Sequence, residues 1–146
     1  MTNPLVTNPP GPSTTAPQQY TIDTIVGNGA ETSSLTTTFS GDNGPATSAE
    51  LDYPKGVAVD SAGILYIAYS DNNRVRKVSQ GVITTVAGNG TTSFTVTPLG
   101  DDGPATSARR NNPIGVALDF LGNLYIADTI LRGIVSIPSV SSAAQT

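Results

Sequence analysis

The sequence predicts an all-β protein built from a repeated antiparallel unit. Two stretches carry that reading. Gly56-Val57-Ala58-Val59-Asp60-Ser61-Ala62-Gly63-Ile64-Leu65-Tyr66-Ile67-Ala68 recurs as Gly115-Val116-Ala117-Leu118-Asp119-Phe120-Leu121-Gly122-Asn123-Leu124-Tyr125-Ile126-Ala127. Each copy is two apolar runs joined by a short, Gly-containing polar turn, the pattern of a β-hairpin. Upstream of each lies a second repeated block, Gly41–Ala49 and Gly100–Ala108, which shares Gly-Asp-x-Gly-Pro-Ala-Thr-Ser-Ala. Composition agrees: 15 Gly and 11 Pro among 146 residues, with only 12% charged, suit many turns and leave few segments able to form long helices.

In chain order, Met1–Gln19 carries Pro4, Pro9, Pro10, Pro12 and Pro17 among Thr, Asn, Ser and Gly. Proline fixes φ and lacks an N–H, so this segment reads as an extended arm near polyproline II, either a linker or an arm that docks on a neighbour. Tyr20–Val26 is rich in β-branched residues and reads as a strand ended by Gly27-Asn28-Gly29. Its counterpart is Val82–Ala87, followed by Gly88-Asn89-Gly90. Ser/Thr-rich loops come next, Glu31–Ser40 and Thr91–Pro98. In the repeated block Asp-x-Gly marks a turn, and Pro before Ala-Thr-Ser-Ala suits the first turn of a short helix. Pro54 and Pro113 lead into the hairpins. Arg74–Val78 then reads as a strand with one apolar and one basic face, and its counterpart is Gly133–Ile137. The polar tail Ser139–Thr146 does not match Val82–Ala87, the strand due next. The organisation is therefore an arm (1–19), a repeat region (20–138, units of about 20–80 and 81–138) and a tail (139–146).

The repeat period of roughly 60 residues exceeds that of an ordinary propeller blade because of the Ser/Thr loop and the helical turn. With the hairpin strands called a and b, the next strand c and the last d, the chain runs d, a, b, c, d, a, b, c. That order makes two four-stranded blades, permuted: Thr21–Val26 is a spare outer strand and Ile134–Ile137 lacks one. Two blades cannot close a propeller. The reading is therefore pairing in trans, with Thr21, Ile22, Thr24, Ile25 and Val26 donated to the edge formed by Ile134, Val135, Ser136 and Ile137 of another copy. Closed rotation gives a ring and open rotation a filament. The two repeats differ in a way that fits. Asp71-Asn72-Asn73-Arg74 becomes Ile130-Leu131-Arg132-Gly133, and Arg76 and Lys77 become Val135 and Ser136. Ile130 and Leu131 read as an apolar interface loop, with cover for a satellite core as the alternative, beside an edge that has lost its charge.

Gly-Asp-x-Gly-Pro-Ala-Thr-Ser-Ala, Pro-x-Gly-Val-Ala-x-Asp, Leu-Tyr-Ile-Ala, Asn-Asn-Arg-Val-Arg-Lys-Val and Ile-Thr-Thr-Val-Ala-Gly-Asn-Gly together resemble NHL repeats of the bacterial extracellular type, over Tyr20 to about Pro138. The resemblance implies a β-propeller of four-stranded blades that serves most often as a binding or scaffolding module. This sequence departs from it in having two repeats, at Ile130–Gly133, and at Tyr69, where the pattern favours Asp as at Asp128.

The chain has no His and no Cys, which excludes His-based triads and soft-metal sites. Its carboxylates read as turn residues: Asp42, Asp101 and Asp102 in the repeated block, Asp60 and Asp119 at the hairpin turns. Asp119 and Asp128 could pair near one rim. Tyr66 and Tyr125 read as core residues with a hydrogen-bonded hydroxyl. Asn89-Gly90-Thr91 is a candidate N-glycosylation sequon, and the Ser/Thr loops are candidate O-glycan carriers. The net charge of −4 argues against nucleic acid, and no apolar run reaches membrane-span length. No cofactor or metal is expected. The function expected is a non-catalytic, extracellular structural subunit that binds copies of itself, with glycans as further partners. The alternatives are an oligomeric lectin-like propeller that binds sugar or peptide, which the absence of Trp disfavours, and a propeller lyase or hydrolase, which the absence of His disfavours.

Overall fold

The computed structural model describes residues 19–30, 39–91, 100, 102–109, 112–130 and 132–139. Two antiparallel sheets face each other. The first contains β1 (Gly44–Pro45), β2 (Pro54–Val59), β3 (Leu65–Tyr69), β4 (Arg74–Ser79) and β5 (Val82–Ala87), in the order β1-β5-β4-β3-β2. The second contains β6 (Pro113–Leu118), β7 (Leu124–Asp128) and β8 (Gly133–Ile137). The first is a complete four-stranded blade with a two-residue strand added outside it. The second, among the described residues, is a blade without its outer strand.

The hairpins form for local reasons. Asp60 Oδ1 accepts from the N–H groups of Ala62 and Ile64 at 2.9 Å each, and Gly63 takes φ +79° to reverse the chain. Asp119 does the same for Leu121 and Asn123, with Gly122 at φ +82°. Asparagine and aspartate turns of this kind offer the backbone a ready acceptor, so the turn register is set before any tertiary contact. Each Pro-Ala-Thr-Ser-Ala block makes one 3₁₀ turn, Ala46–Ser48 and Ala105–Ser107.

Pairing assigns the faces. Val57 is opposite Ile67 and Val59 opposite Leu65, which puts these four on one face, the front. Tyr66, Ala68 and Val75 lie on the other, the back. The front of the second sheet, with Val116, Leu118, Leu124 and Ile126, packs on the back of the first, with Tyr66, Val75, Val86 and Ala87. Val75 and Ile126 are completely buried there. Both faces of a blade are thus apolar, which explains why the strands read as continuous apolar runs rather than alternating ones.

The basic face expected of Arg74–Val78 is covered at Arg76, and Lys77 lies with Val75 on the other side. Arg74 and Arg76 point to the front and Val75 to the back, and Arg76 has no solvent exposure. Arg76 donates to both Asp42 Oδ1 (2.8 Å) and the carbonyls of Ser40 (3.1 Å) and Glu50 (3.3 Å). Asp42 Oδ2 accepts from Thr85 N–H at 3.1 Å. Asp42 is therefore not a turn cap but the partly exposed half of an ion pair with buried Arg76 that fastens the 39–50 loop over β4 and β5. Tyr69 adds to this: its hydroxyl donates to Glu50 O at 2.5 Å and accepts from Asp52 N–H, and burial raises its pKa. Because Arg76 holds a loop, its replacement by Val135 in the second repeat is not in itself the loss of an edge guard.

Candidate assembly interface

A clasp joins each outer strand to the blade that follows it. Gly88 N–H donates to Ala105 O (2.9 Å) and Asn89 N–H to Ala108 O (3.0 Å), so the end of β5 is pinned to the 3₁₀ turn of the second blade. The first repeat has the same clasp: Gly27 N–H to Ala46 O (3.0 Å) and Asn28 N–H to Ala49 O (3.0 Å). The leading segment Tyr20–Val26 is thereby held against the first blade as β5 is held against the second. Gly88 has φ +85°, and a Cβ there would lie 2.1 Å from Asn73 O, so only glycine closes the clasp.

The leading segment is not a strand in the single chain, contrary to the expectation for Thr21–Val26; it has no ladder partner, and strand structure needs one. Ile22 is 98% exposed and Ile25 67%. Val26 alone packs, against the cluster of Ala46, Ala49 and Ile83. Ile83, the counterpart of Ile22, is completely buried between β1 and β4.

The expected acceptor residues Ile134, Val135, Ser136 and Ile137 all lie in β8, the outer edge of the second sheet. In the first blade the outer strand is gripped from two sides, by β4 and by β1, where Gly44 opposes Ile83. The corresponding residues of the second blade, Gly103 and Pro104, form no strand, as no outer strand among the described residues lies between them and β8. Ile134 is 71% exposed, whereas its counterpart Val75 is buried. Ile130 is partly exposed at the turn before β8; Leu131 lies outside the described residues, as do Asp101, most of the arm and most of the tail.

The remaining candidate sites resolve into structural duties. Asp119 accepts from Asn123 Nδ2 (2.7 Å) and the Tyr125 hydroxyl (3.1 Å) besides its turn N–H groups, and the Asn123 bond leads in lowering its pKa. Asp119 and Asp128 do not pair: Asp119 stands opposite Asn123, five residues before Asp128, which puts them about 16 Å apart at about 3.3 Å per residue. Asn89 donates through Nδ2 to Ser107 O (3.1 Å) and accepts from Thr91, so the sequon asparagine is part of the clasp. A polar cavity of about 390 Å³ lies between the blades, bordered by Phe39, Asp42, Arg74, Thr85 and Asn89. The Arg74 guanidinium stacks on the Phe39 ring at 3.9 Å and donates to Asn72 O and Asn89 O, so its donors are engaged within the chain. Among the described residues no group of His, Cys, Asp and Glu could hold a metal, and no helix is long and apolar enough to cross a membrane.

A four-stranded and a three-stranded antiparallel blade stacked face to face, with a recurrent Gly-Asn-Gly clasp, define a β-propeller-type blade protein of the NHL repeat class. The chain belongs to the Teneurin NHL domain family, whose model matches residues 13–102. It is 33% identical over 112 residues to Teneurin-1 of Gallus gallus and 34% identical over 112 residues to Teneurin-1 of Homo sapiens, in each case over 73% of this chain and 4% of the relative. A solved structure from Bacteroides thetaiotaomicron, a structural genomics protein of unknown function, superposes with a TM-score of 0.55 at 25% identity, over 68% of this chain and 24% of that one. The chain thus spans a small part of the proteins it resembles.

Proposed function

We propose that this chain is a non-catalytic, extracellular structural subunit that assembles head to tail by donating Thr21–Val26 to the second blade of another copy. The observation that carries the reading is the double clasp. It holds the leading segment against the first blade as β5 is held against the second, which supports reading it as the outer strand of a preceding blade, while among the described residues the second blade has no strand beyond β8. The pairing in the first blade supplies the register. Val78 opposes Ile83 and Gly44 opposes Ile83, so Ile22 of the donor lies between Ile137 and Gly103 of the acceptor. Main-chain bonds on both sides and one buried isoleucine then hold the donor.

The sequence around each strand supports pairing in trans over pairing in cis. The five positions that should supply a c strand before Tyr20 read Ser13-Thr14-Thr15-Ala16-Pro17. Proline in the middle of a sheet removes a ladder bond. After Ile137, the positions due to be an outer strand read Ser141-Ser142-Ala143-Ala144-Gln145-Thr146, without the β-branched apolar residues of Val82–Ala87.

The test is electron microscopy and sedimentation of the full chain beside a chain lacking Met1–Val26. Rings or filaments from the full chain, lost on truncation, are expected. A monomeric full chain, or assembly unchanged by truncation, refutes the proposal.

A further inference from the structure

We propose that assembled copies also meet face to face, with Ile134 of one copy seated in the front cavity of the next and Gly115 admitting the next copy's inner strand. The proposal rests on the head-to-tail reading above and adds to it a second, side-chain interface that strand exchange does not itself require.

The contact between the two blades within the chain is the template. There, the back of the first blade receives the front of the second. Its closest point is at the inner strands, where a Cβ on Gly56 would lie 2.7 Å from Ile114 O and 3.0 Å from Gly115 Cα. Real Cβ atoms do not approach backbone that closely, so glycine at position 56 is a condition of blade packing. Gly115 occupies the same place in the second blade, yet a Cβ there would meet only Ala127 Cβ at 3.7 Å, an ordinary contact. Its φ is not in the left-handed region either. Among the described residues nothing calls for glycine at 115. A following blade would, because Lys55 O and Gly56 Cα of the next copy would stand where Ile114 O and Gly115 Cα stand against Gly56.

The side chains repeat the argument. Within the chain, Val75 on the back of the first blade inserts against Leu124 and Ile126 on the front of the second. The unused back presents Ile134 in place of Val75 and Tyr125 in place of Tyr66, 71% and 37% exposed. The unused front has Leu65, half-buried, and Ile67, already buried, in place of Leu124 and Ile126. These two, with Ile25, Val26, Val57 and Leu51, border an open, largely apolar cavity of about 380 Å³. Val57 and Val59 beside it are 64% and 61% exposed. A knob on one face and a hole on the other, related by the chain's own repeat, fit a second copy of this chain. Val26 on the rim of the hole links this contact to strand exchange: the segment that completes the preceding blade also forms part of the wall against which Ile134 of that blade packs.

The turns agree in backbone conformation. Asn73 in the first blade accepts through Oδ1 from Asn112 N–H (2.8 Å) across the intrachain contact. The counterparts are Arg132 on the back of one copy and Tyr53 on the front of the next, and Asn73, Asn112, Arg132 and Tyr53 all have φ between +50° and +63°. Arginine has no acceptor, so the side-chain bond itself is not repeated between copies. Tyrosine is strained in that conformation, and here it is 62% exposed. Facing it from the next copy is the turn that carries Ile130.

The experiment compares the full-length wild type with Gly115→Val and Ile134→Lys by sedimentation and thermal melting. Both sites are open in the single chain, so melting of the dissociated protein should match the wild type within a few degrees. Each substitution should raise the concentration needed for assembly at least tenfold. If either variant melts normally and assembles at the wild-type concentration, the face-to-face contact is overturned. If that happens while deletion of Met1–Val26 still abolishes assembly, strand exchange stands alone and only the present proposal fails. A monomeric wild type overturns both.

Discussion

Replacing Ile22 by alanine separates the energetics of the fold from those of assembly. In the single chain Ile22 is 98% exposed, so its truncation should change folding stability by no more than about 0.5 kcal/mol. In the assembled state it would take the place of Ile83, which is completely buried among Ala46, Ala49 and Val78. The acceptor has Ala105, Ala108 and Ile137 at those positions, the same small-small-branched set. Truncating a buried isoleucine to alanine costs about 2–5 kcal/mol. A central value of about 3 kcal/mol per contact corresponds to roughly a 100-fold weaker association. Each copy donates one such strand, so the concentration at half-assembly should rise by the same factor. The assay is sedimentation velocity across a concentration series, with circular dichroism to follow the fold. Ile83→Ala is the mirror control: it should cost the fold itself about 2–5 kcal/mol. Ile22→Ala assembling at the wild-type concentration would refute the assignment of Ile22 to a buried slot, whatever the cause of assembly.

Three further outcomes follow from the same geometry. Arg76→Met leaves Asp42 without its cation under a packed loop and should cost about 3–5 kcal/mol in denaturant unfolding, with part of the loss recovered by adding Asp42→Asn. Tyr53→Asn places at φ +50° a residue that tolerates the left-handed region, as Asn112 does at φ +61°. It should leave the single chain as stable or stabilise it by up to about 1 kcal/mol in thermal melts, and a clear loss would contradict the strain. Asp119 has a pKa lowered chiefly by the Asn123 side-chain bond. A carboxylate depressed on folding adds stability that is full above its unfolded pKa and fades as pH falls through the folded one. Acid unfolding of Asp119→Asn should therefore show a shallower pH dependence than the wild type below about pH 4, and identical acid profiles would exclude the contribution.

The blade itself was open to a reading of residues because its causes are local. Asp60 and Asp119 bond to N–H groups two and four residues ahead, and Gly63 and Gly122 complete the same turns, so hairpin register is written within a dozen positions. The repeat then carries that result to both copies. The candidate interface was half open to the same reading. The spare segment before the first blade and the uncompleted edge at β8 follow from strand order alone. That the segment stays unpaired in one chain while the Gly27 and Asn28 clasp aims it does not.

Other features depended on contacts that no window of sequence contains. Arg76 and Asp42 are 34 residues apart, and alternation along β4 suggested a solvated basic face. Only closure of the 39–50 loop shows that the face is buried and the charge paired. A buried arginine needs several acceptors at once, and all four of these Arg76 bonds go to that loop, to Ser40 O, Asp42 Oδ1 and Glu50 O. Asp128 and Asp119 could be imagined as a pair until the length of β7 was set between them. The sequence by itself determined the strands, the turns and the apolar character of both blade faces, since backbone propensity and side-chain polarity act at short range. The tertiary structure decided which faces are covered, because burial depends on which sheets meet. It is the unequal surroundings of two matching residues, Gly56 under backbone and Gly115 in the open, that the proposed contact with another copy would even out.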